Sequence, residues 1–523
     1  MREKTDSRTG PTPSAVRNRC VRGLAALAGS VMSLVAASGC KDTAVPYFNS
    51  PTSIPTSTTG VQDAVTGLFG QTRSDQFDYL WFSTGFARDL FWFLGASPNT
   101  LTDVAGLVQS SNGILICCGV WNSEYENAKQ ANLIIASLPK ISAYSTQQVA
   151  AMTGVLQTIK ALNFMYLAEM RDTLGIPLYA IVSNPTDPPY CNQDVWRYIV
   201  ALLDSGFNQL TAAGTIAVPV NLPPGFASVA RTASPASTPG AFAAFNRALA
   251  GKAGLELAYA IARATPGAAP TPTSAGTPDN ASLVRADSAI AASALYDTTI
   301  IAPPAAGEFP LDAHGVYHTF SALSGDQQSP MTVYYFDFVT LFDLTADVDT
   351  LNDLRWKNKF VGDPQPVQVG AYAGVADPHL FLPYSTVTAP VPIVRAEELA
   401  LVRAQIQLGL GNLGNAIALI NQVHEKAGGF STPLTIASMY TAVRDTLLKE
   451  QRISTVFEGS GDRMISIRMY GLAATADTTW QATTGPDGAV ATKLHSVDYH
   501  VMNATLPPVE LSSRGGAWTR TCP

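Results

Sequence analysis

Charge is scarce in this sequence. Asp, Glu, Lys and Arg make up 14% of its 523 residues, whereas soluble domains usually carry about a quarter. The surface must therefore be finished with Ser, Thr, Asn and Gln, which suits an extracellular protein. Lys and Arg, at 33, are outnumbered by 40 Asp and Glu, for a formal charge of −7. Residues 1–39 hold +4 of that, leaving −11 for the rest. An acidic chain without a basic stripe excludes nucleic acid as a partner. Beyond the first forty residues no uncharged apolar run reaches the length of a membrane helix, about 20 residues. Histidine occurs only six times, and cysteine only at Cys20, Cys40, Cys117, Cys118, Cys191 and Cys522. What the sequence does have is apolar content, 46%, enough for a substantial core.

The N-terminus is the one basic stretch. Arg2, Lys4, Arg8, Arg17, Arg19 and Arg22 precede an uncharged run from Gly23 to Gly39, rich in Ala, Gly and Ser. That order describes a secretory signal peptide. The run ends in "ASGC", which resembles a bacterial lipobox and places cleavage before Cys40. Residues 1–39 are expected to be removed, leaving Cys40 as a lipidated anchor. Acyl chains hold at about 0.8 kcal/mol per buried methylene, so several make a firm tether. Lys41 follows the cysteine, so an inner-membrane retention signal is missing. Residues 40–60 are rich in Pro, Ser and Thr and read as a tether. Four cysteines remain beyond Cys40, and four thiols allow three full pairings between which the sequence does not choose.

From residue 61 onward helical periodicity dominates. "GVQDAVTGLFGQTR" reads as a first helix. "WNSEYENAKQANLIIASLPK" puts Tyr125, Ala128, Asn132 and Ile135 on one face. A longer helix starts at Ser145, with Gln148 completing a capping box, and stops before Gly175 and Pro177. Helical segments follow from Asn192, Ala241 and Asn280, and again near the end. Stretches 214–240 and 264–279, rich in Pro, Gly, Ala and Thr, read as long surface loops. Residues 298–392 are the least helical and are expected to hold strands and irregular loops. Segment 394–427 partly matches a tetratricopeptide pair, with small Ala404 and Ala416 and apolar Ile420 where two helices pack. No strict repeat runs through the chain. The expected fold is mainly α, an irregular α-α superhelix with tetratricopeptide-like helix pairs, long loops and minor β structure.

Catalytic and metal motifs are thin. "GLGNLG" (Gly409, Gly411, Gly414) meets the dinucleotide spacing, but a helix precedes it where a strand is needed, so it reads as a helix–turn–helix corner. His314 and His318 are four apart without a glutamate partner, so no metal is expected. Asp347, Asp349 and Asp353 lack the glycine and the final glutamate of a calcium loop and read as a solvated acidic turn. Glu397 and Glu398 are adjacent on a helix and diverge, so they cannot flank one glycosidic bond. No cofactor is expected.

Aromatics are concentrated. Phe77, Tyr79, Trp81, Phe82, Phe86, Phe91, Trp92 and Phe93 crowd one short stretch. Sugar rings stack their CH faces on aromatic planes, and such sites combine apolar walls with few polar groups. Most of these side chains are expected in the core. Trp81, Trp92, Trp121 and Tyr335 are the ligand-binding candidates.

The order of four blocks resembles the SusD/RagB family of outer-membrane lipoproteins over nearly the whole mature chain. They are "WNSEYENAKQANLIIASLP", "KALNFMYLAEMRDTLGIPLY", "IVRAEELALVRAQIQLGLGNLGNAIALINQVHEKAG" and "LLKEQRISTVFEGSGDRMISIRMYG", with "LPPVEL" closing. The resemblance implies one mostly helical domain over 61–523, with an N-terminal part at about 61–215 and a C-terminal part at about 290–523. It implies a non-catalytic, surface-facing outer-membrane lipoprotein that binds a glycan or other nutrient and passes it to a TonB-dependent SusC-like barrel transporter. Glu450, Arg452, Phe457, Glu458, Gly459 and Arg463 match the family motif and are read as holding helices together. A lipid-anchored glycoside hydrolase and a helical-repeat envelope scaffold stand as alternatives.

Overall fold

The computed structural model describes residues 55–86, 119–178, 189–226, 238–296, 301, 315–323, 352–362, 379–381, 383–384, 386–459, 462–472, 480–484, 490–494 and 522. Helices dominate them. The first six are α1 (Thr58–Phe86), α2 (Gly119–Ser137), α3 (Thr146–Arg171), α4 (Asn192–Ala213), α5 (Pro239–Ala264) and α6 (Asn280–Ala292). Each packs on the next, so the chain advances as successive helix pairs. A short β1 (Gly315–His318), α7 (Leu354–Lys359), β2 (Phe360–Gly362) and β3 (His379–Phe381) follow. Then come β4 (Val391–Arg395), α8 (Ala396–Gly409), α9 (Leu413–Lys426), α10 (Tyr440–Thr455), α11 (Asp462–Met469), β5 (Trp480–Thr484) and β6 (Val490–Leu494). The strands pair two by two and antiparallel, β1 with β4, β2 with β3 and β5 with β6. This is the mainly helical architecture with minor β structure expected from the sequence.

Local signals account for the helix boundaries. The Ser145 hydroxyl accepts from the Gln148 N–H at 3.2 Å, and the Gln148 side chain accepts from the Ser145 N–H at 2.9 Å. This is the capping box, and N-caps of this kind contribute about 1 kcal/mol. At the other end Gly175 turns the chain at φ +63°, where a Cβ would strike the Tyr190 carbonyl. Helix α4 is amphipathic and buries Val195, Trp196, Ile199, Leu203 and Leu210 on one face. Helices α3 and α5 are buried on nearly all sides. They are the central layer of the stack, which is why their sequences show no polar face.

Small residues set the closest crossings. A Cβ on Gly154 of α3 would lie 2.7 Å from the Gly206 carbonyl of α4, and one on Gly254 of α5 would lie 2.9 Å from the Ala286 Cβ of α6. The tetratricopeptide-like pair is α8 and α9. Ala404, Ala416 and Ile420 are all fully buried at their contact. Gly411, at φ +77°, makes the turn between these helices, so "GLGNLG" is a helix–turn–helix corner.

Three expectations need correction. Helix α1 begins earlier and runs further than "GVQDAVTGLFGQTR", through the aromatic stretch to Phe86, and Tyr79 and Phe82 are fully buried. The buried stripe of α2 is rotated: Tyr125 and Ala128 are buried, but Ala131 and Ile134 continue the stripe, while Asn132 and Ile135 are half-buried. The described part of 214–240 is a loop whose apolar residues turn inward. Val218, Val220, Leu222 and Phe226 are buried, Phe226 meets Phe69 edge-on at 4.8 Å, and the Asn221 N–H donates to Gln62 at 2.7 Å. The 264–279 stretch is the surface loop expected, mostly exposed and pinned where the Thr277 N–H donates to the Ala268 carbonyl at 2.7 Å and Arg444 donates to the Pro272 carbonyl.

Candidate functional site

Two of the motif residues singled out in the sequence, Glu450 and Glu458, sit in a buried ionic frame. Arg395 ends β4, and the Glu398 side chain of the first turn of α8 bonds its N–H. The Arg395 guanidinium bonds Glu458 at 2.6 Å, Glu397 at 2.9 Å and the Ser454 carbonyl at 2.7 Å. Lys359, at the end of α7, pairs with the other oxygen of Glu458 at 2.6 Å. It also donates to the carbonyls of Ile453 and Ser454 at 2.9 and 2.6 Å, closing the C-terminal end of α10. Arg355 pairs with Asp353 at 2.5 Å and Glu450 at 2.6 Å, and Glu450 also meets His424 at 3.2 Å. Asp353 is therefore a buried helix cap and ion-pair partner rather than part of a solvated turn.

The rest of the motif surrounds this frame. Phe457 takes a left-handed φ of 56°, and its carbonyl accepts from the Tyr384 hydroxyl at 2.7 Å. Gly459, at φ +63°, donates its N–H to the Pro392 carbonyl at 3.2 Å. That carbonyl also accepts from Gln76 of α1 at 2.6 Å. Arg452 is buried in α10, and Arg463 is half-buried in α11.

A second charged cluster lies beside the first. Lys252 of α5 pairs with Glu398 of α8 and, at 3.2 Å, with Asp462 of α11. Glu169 of α3 lies near it and accepts from the Tyr79 hydroxyl. Burial pushes the Glu169 carboxyl up to about 8, against the pull of Lys252 and Tyr79. Burial likewise raises Glu398 to about 7 against Lys252. Glu397 stays below the usual carboxylate range: burial opposes its charge, and Arg395, Arg355 and Lys359 outweigh that cost. Perturbed carboxyls often mark catalysis, but these are core groups held by Lys252, Arg395 and Tyr79. Glu397 and Glu398 diverge to Arg395 and Lys252.

The ligand candidates are placed unevenly. Trp92 and Tyr335, like Cys40, lie outside the described residues, and Trp81 is described only as a position near the C-terminal end of α1. Trp121, in the first turn of α2, is 5% exposed and packs edge-on against Tyr125 at 5.2 Å. Its indole N–H finds no acceptor among the described residues. His318 is buried in β1, and burial, aided by Arg73, lowers it to about 3, so it is neutral; His314, Asp347 and Asp349 lie outside the described residues. No cluster of three or more His, Cys, Asp or Glu suited to a metal occurs among the described residues.

One open groove of about 290 Å³ lies where α4 and α6 flank α5. Asp204 crosses it, paired with Arg247 at 3.0 Å and Arg285 at 2.7 Å, and the Arg247 guanidinium lies 4.3 Å over the Phe207 ring. Its apolar walls and single ion-pair chain fit the lower end of the size range of ligand sites.

Sequence reasoning missed Arg355, Lys359, Lys252 and Tyr384. The first three carried a signal: in a chain this poor in charge, three cations outside any exposed polar face each need a buried partner.

This stack of helix pairs, closed by buried ion pairs between β4, α7 and α10, is a tetratricopeptide-like scaffold of an irregular kind. Among solved structures it is that of the SusD-like proteins. A SusD superfamily protein from Bacteroides thetaiotaomicron matches with TM-score 0.60 at 13% identity, over 87% of this chain and 98% of that one. A SusD-like carbohydrate-binding protein from Bacteroides vulgatus matches with TM-score 0.58 at 13% identity, over 88% and 96%. A structure solved with a xylogluco-oligosaccharide matches with TM-score 0.56 at 14% identity, over 87% and 96%. At such identity the likeness is one of fold. No protein-family model matches the sequence, and no curated protein matches it.

Proposed function

We propose that this chain is a SusD-like, non-catalytic glycan-binding lipoprotein of a bacterial outer membrane. It captures an oligosaccharide at the cell surface and passes it to a TonB-dependent, SusC-like barrel. One observation carries the reading: the fold matches proteins described as SusD-like and carbohydrate-binding over nearly the full length of both chains. The lipobox-like "ASGC" ending at Cys40 and a disulfide between Cys191 and Cys522 support export, since disulfides persist in oxidising compartments. The divergence of Glu397 and Glu398 into separate ion pairs supports a role without hydrolysis.

Calorimetry tests this on the chain from Lys41 onward, titrated with xylogluco-oligosaccharides and a panel of other glycans, with product analysis on the same samples. Saturable binding without cleavage is the expected result. Cleavage would move the chain to the glycoside hydrolases, and no binding to any glycan would remove the sugar from the proposal.

A further inference from the structure

The second-to-last residue of the chain is bonded to the start of α4. Cys191 sits at the N-cap of α4, 6% exposed, and forms a disulfide with Cys522 across a sequence separation of 331. The bond lands where three helices meet. Helix α3 ends at Arg171, α4 begins at Asn192 and α5 carries Arg263 in its last turn. Asp172 joins them, accepting from Arg263 at 2.8 Å and from Asn192 at 3.2 Å. Beside it the Tyr190 N–H donates to the Ile176 carbonyl at 2.9 Å.

Order of emergence makes this pairing unusual. A chain exported from its N-terminus delivers Cys117, Cys118 and Cys191 long before Cys522. Pairing in that order would join Cys191 to one of the first two. The structure joins it instead to Cys522, so the fold around the start of α4 and not the order of emergence selects the partner.

We propose that Cys191–Cys522 is a redox latch. The bond locks the segment that carries Cys522 onto the α3–α4–α5 corner, and its reduction releases that corner. In the closing step two thiols give up two protons and two electrons and form one S–S bond. The electrons pass to a protein disulfide of the exporting compartment, which leaves as a dithiol. The latch rests on the export proposed above only for where that oxidant is met.

The test uses the full chain, exported and purified without reductant. It is alkylated, denatured and digested without reduction, then mapped by mass spectrometry. The expected product joins the Cys191 peptide to the Cys522 peptide. Alkylated Cys191, or Cys191 joined to Cys117 or Cys118, overturns the proposal. The native protein is then reduced, and its amide hydrogen exchange is followed. Exchange at Tyr190–Val195 is expected to speed up at least tenfold while α8 stays protected, and Cys522→Ser should reproduce this. Unchanged exchange after confirmed reduction also overturns the latch. Glycan titration of the unreduced sample keeps the two proposals apart, since a native chain that binds sugar but lacks the Cys191–Cys522 bond defeats only this one.

Discussion

The Arg395 guanidinium closes on the Glu458 carboxylate at 2.6 Å, across 63 residues of sequence, with both side chains 1% exposed. Neither charge has water to return to, so each is stable only through its buried partners, Glu397 also holding Arg395 and Lys359 also holding Glu458. Removing one partner of a buried pair costs about 3–5 kcal/mol, because it strands the other charge. Arg395→Ala and Glu458→Ala should each lower the unfolding free energy by about that amount in urea titrations. The double variant should cost less than the two singles together, since residues in one network couple by about 0.5–3 kcal/mol.

Stability should fall as pH rises from about 5 to 8.5. Burial lifts Glu169 and Glu256 to about 8 and Glu398 to about 7. Each folded value lies above the unfolded one, so the native state holds the extra protons. That stability is fully present below the unfolded carboxyl range and is lost as pH passes through the folded values. Glu397 and Glu450 work the other way: burial raises them, but Arg395 and Arg355 respectively lead the groups that hold them low. Their contribution is lost only on acidification below the ordinary carboxyl range. Urea midpoints at pH 5, 7 and 8.5 check the slope, and Glu169→Gln should flatten its alkaline side.

Gly459→Ala should destabilise the fold by about 1–3 kcal/mol. The backbone sits at φ +63°, and the added Cβ would lie 3.0 Å from a carboxylate oxygen of Glu398. Gly414→Ala, with nothing within 4 Å of its Cβ position, is the matched control and should be close to neutral in the same thermal melts.

Trp121→Ala should cost about 3–5 kcal/mol, the usual range for deleting a buried tryptophan. The indole is 5% exposed and packs on Tyr125. Chemical denaturation measures the loss. Glycan titration of the folded fraction, alongside Trp81→Ala and Trp92→Ala, separates a packing role from a role in the ligand site.

Local physics was legible in the sequence, and long-range pairing was not. The Ser145–Gln148 box and the Ala404, Ala416, Ile420 spacing depend on neighbours within a turn or a helix pair, so composition and period reveal them. Glu458 could be singled out as a motif residue, but Lys359 and Arg395 come to it from distant segments that no local pattern links. The 214–226 stretch misled through its prolines, although Val218, Val220 and Leu222 alternate as a half-buried extended segment does. Trp121 shows the limit for the candidate site, because an aromatic-rich sequence reads the same whether its rings line a cleft or fill a core.

Lys252 has a consequence for how the molecule comes apart. Open helical repeats unravel from their ends, one unit after another, because each touches only its neighbours. Here one ammonium from α5 is held jointly by acids of α8 and α11. Peeling either helix away would take one of the two acids with it and leave the ammonium under-compensated in an apolar interior. Helices α8 and α11 should therefore come apart together with α5 rather than one at a time.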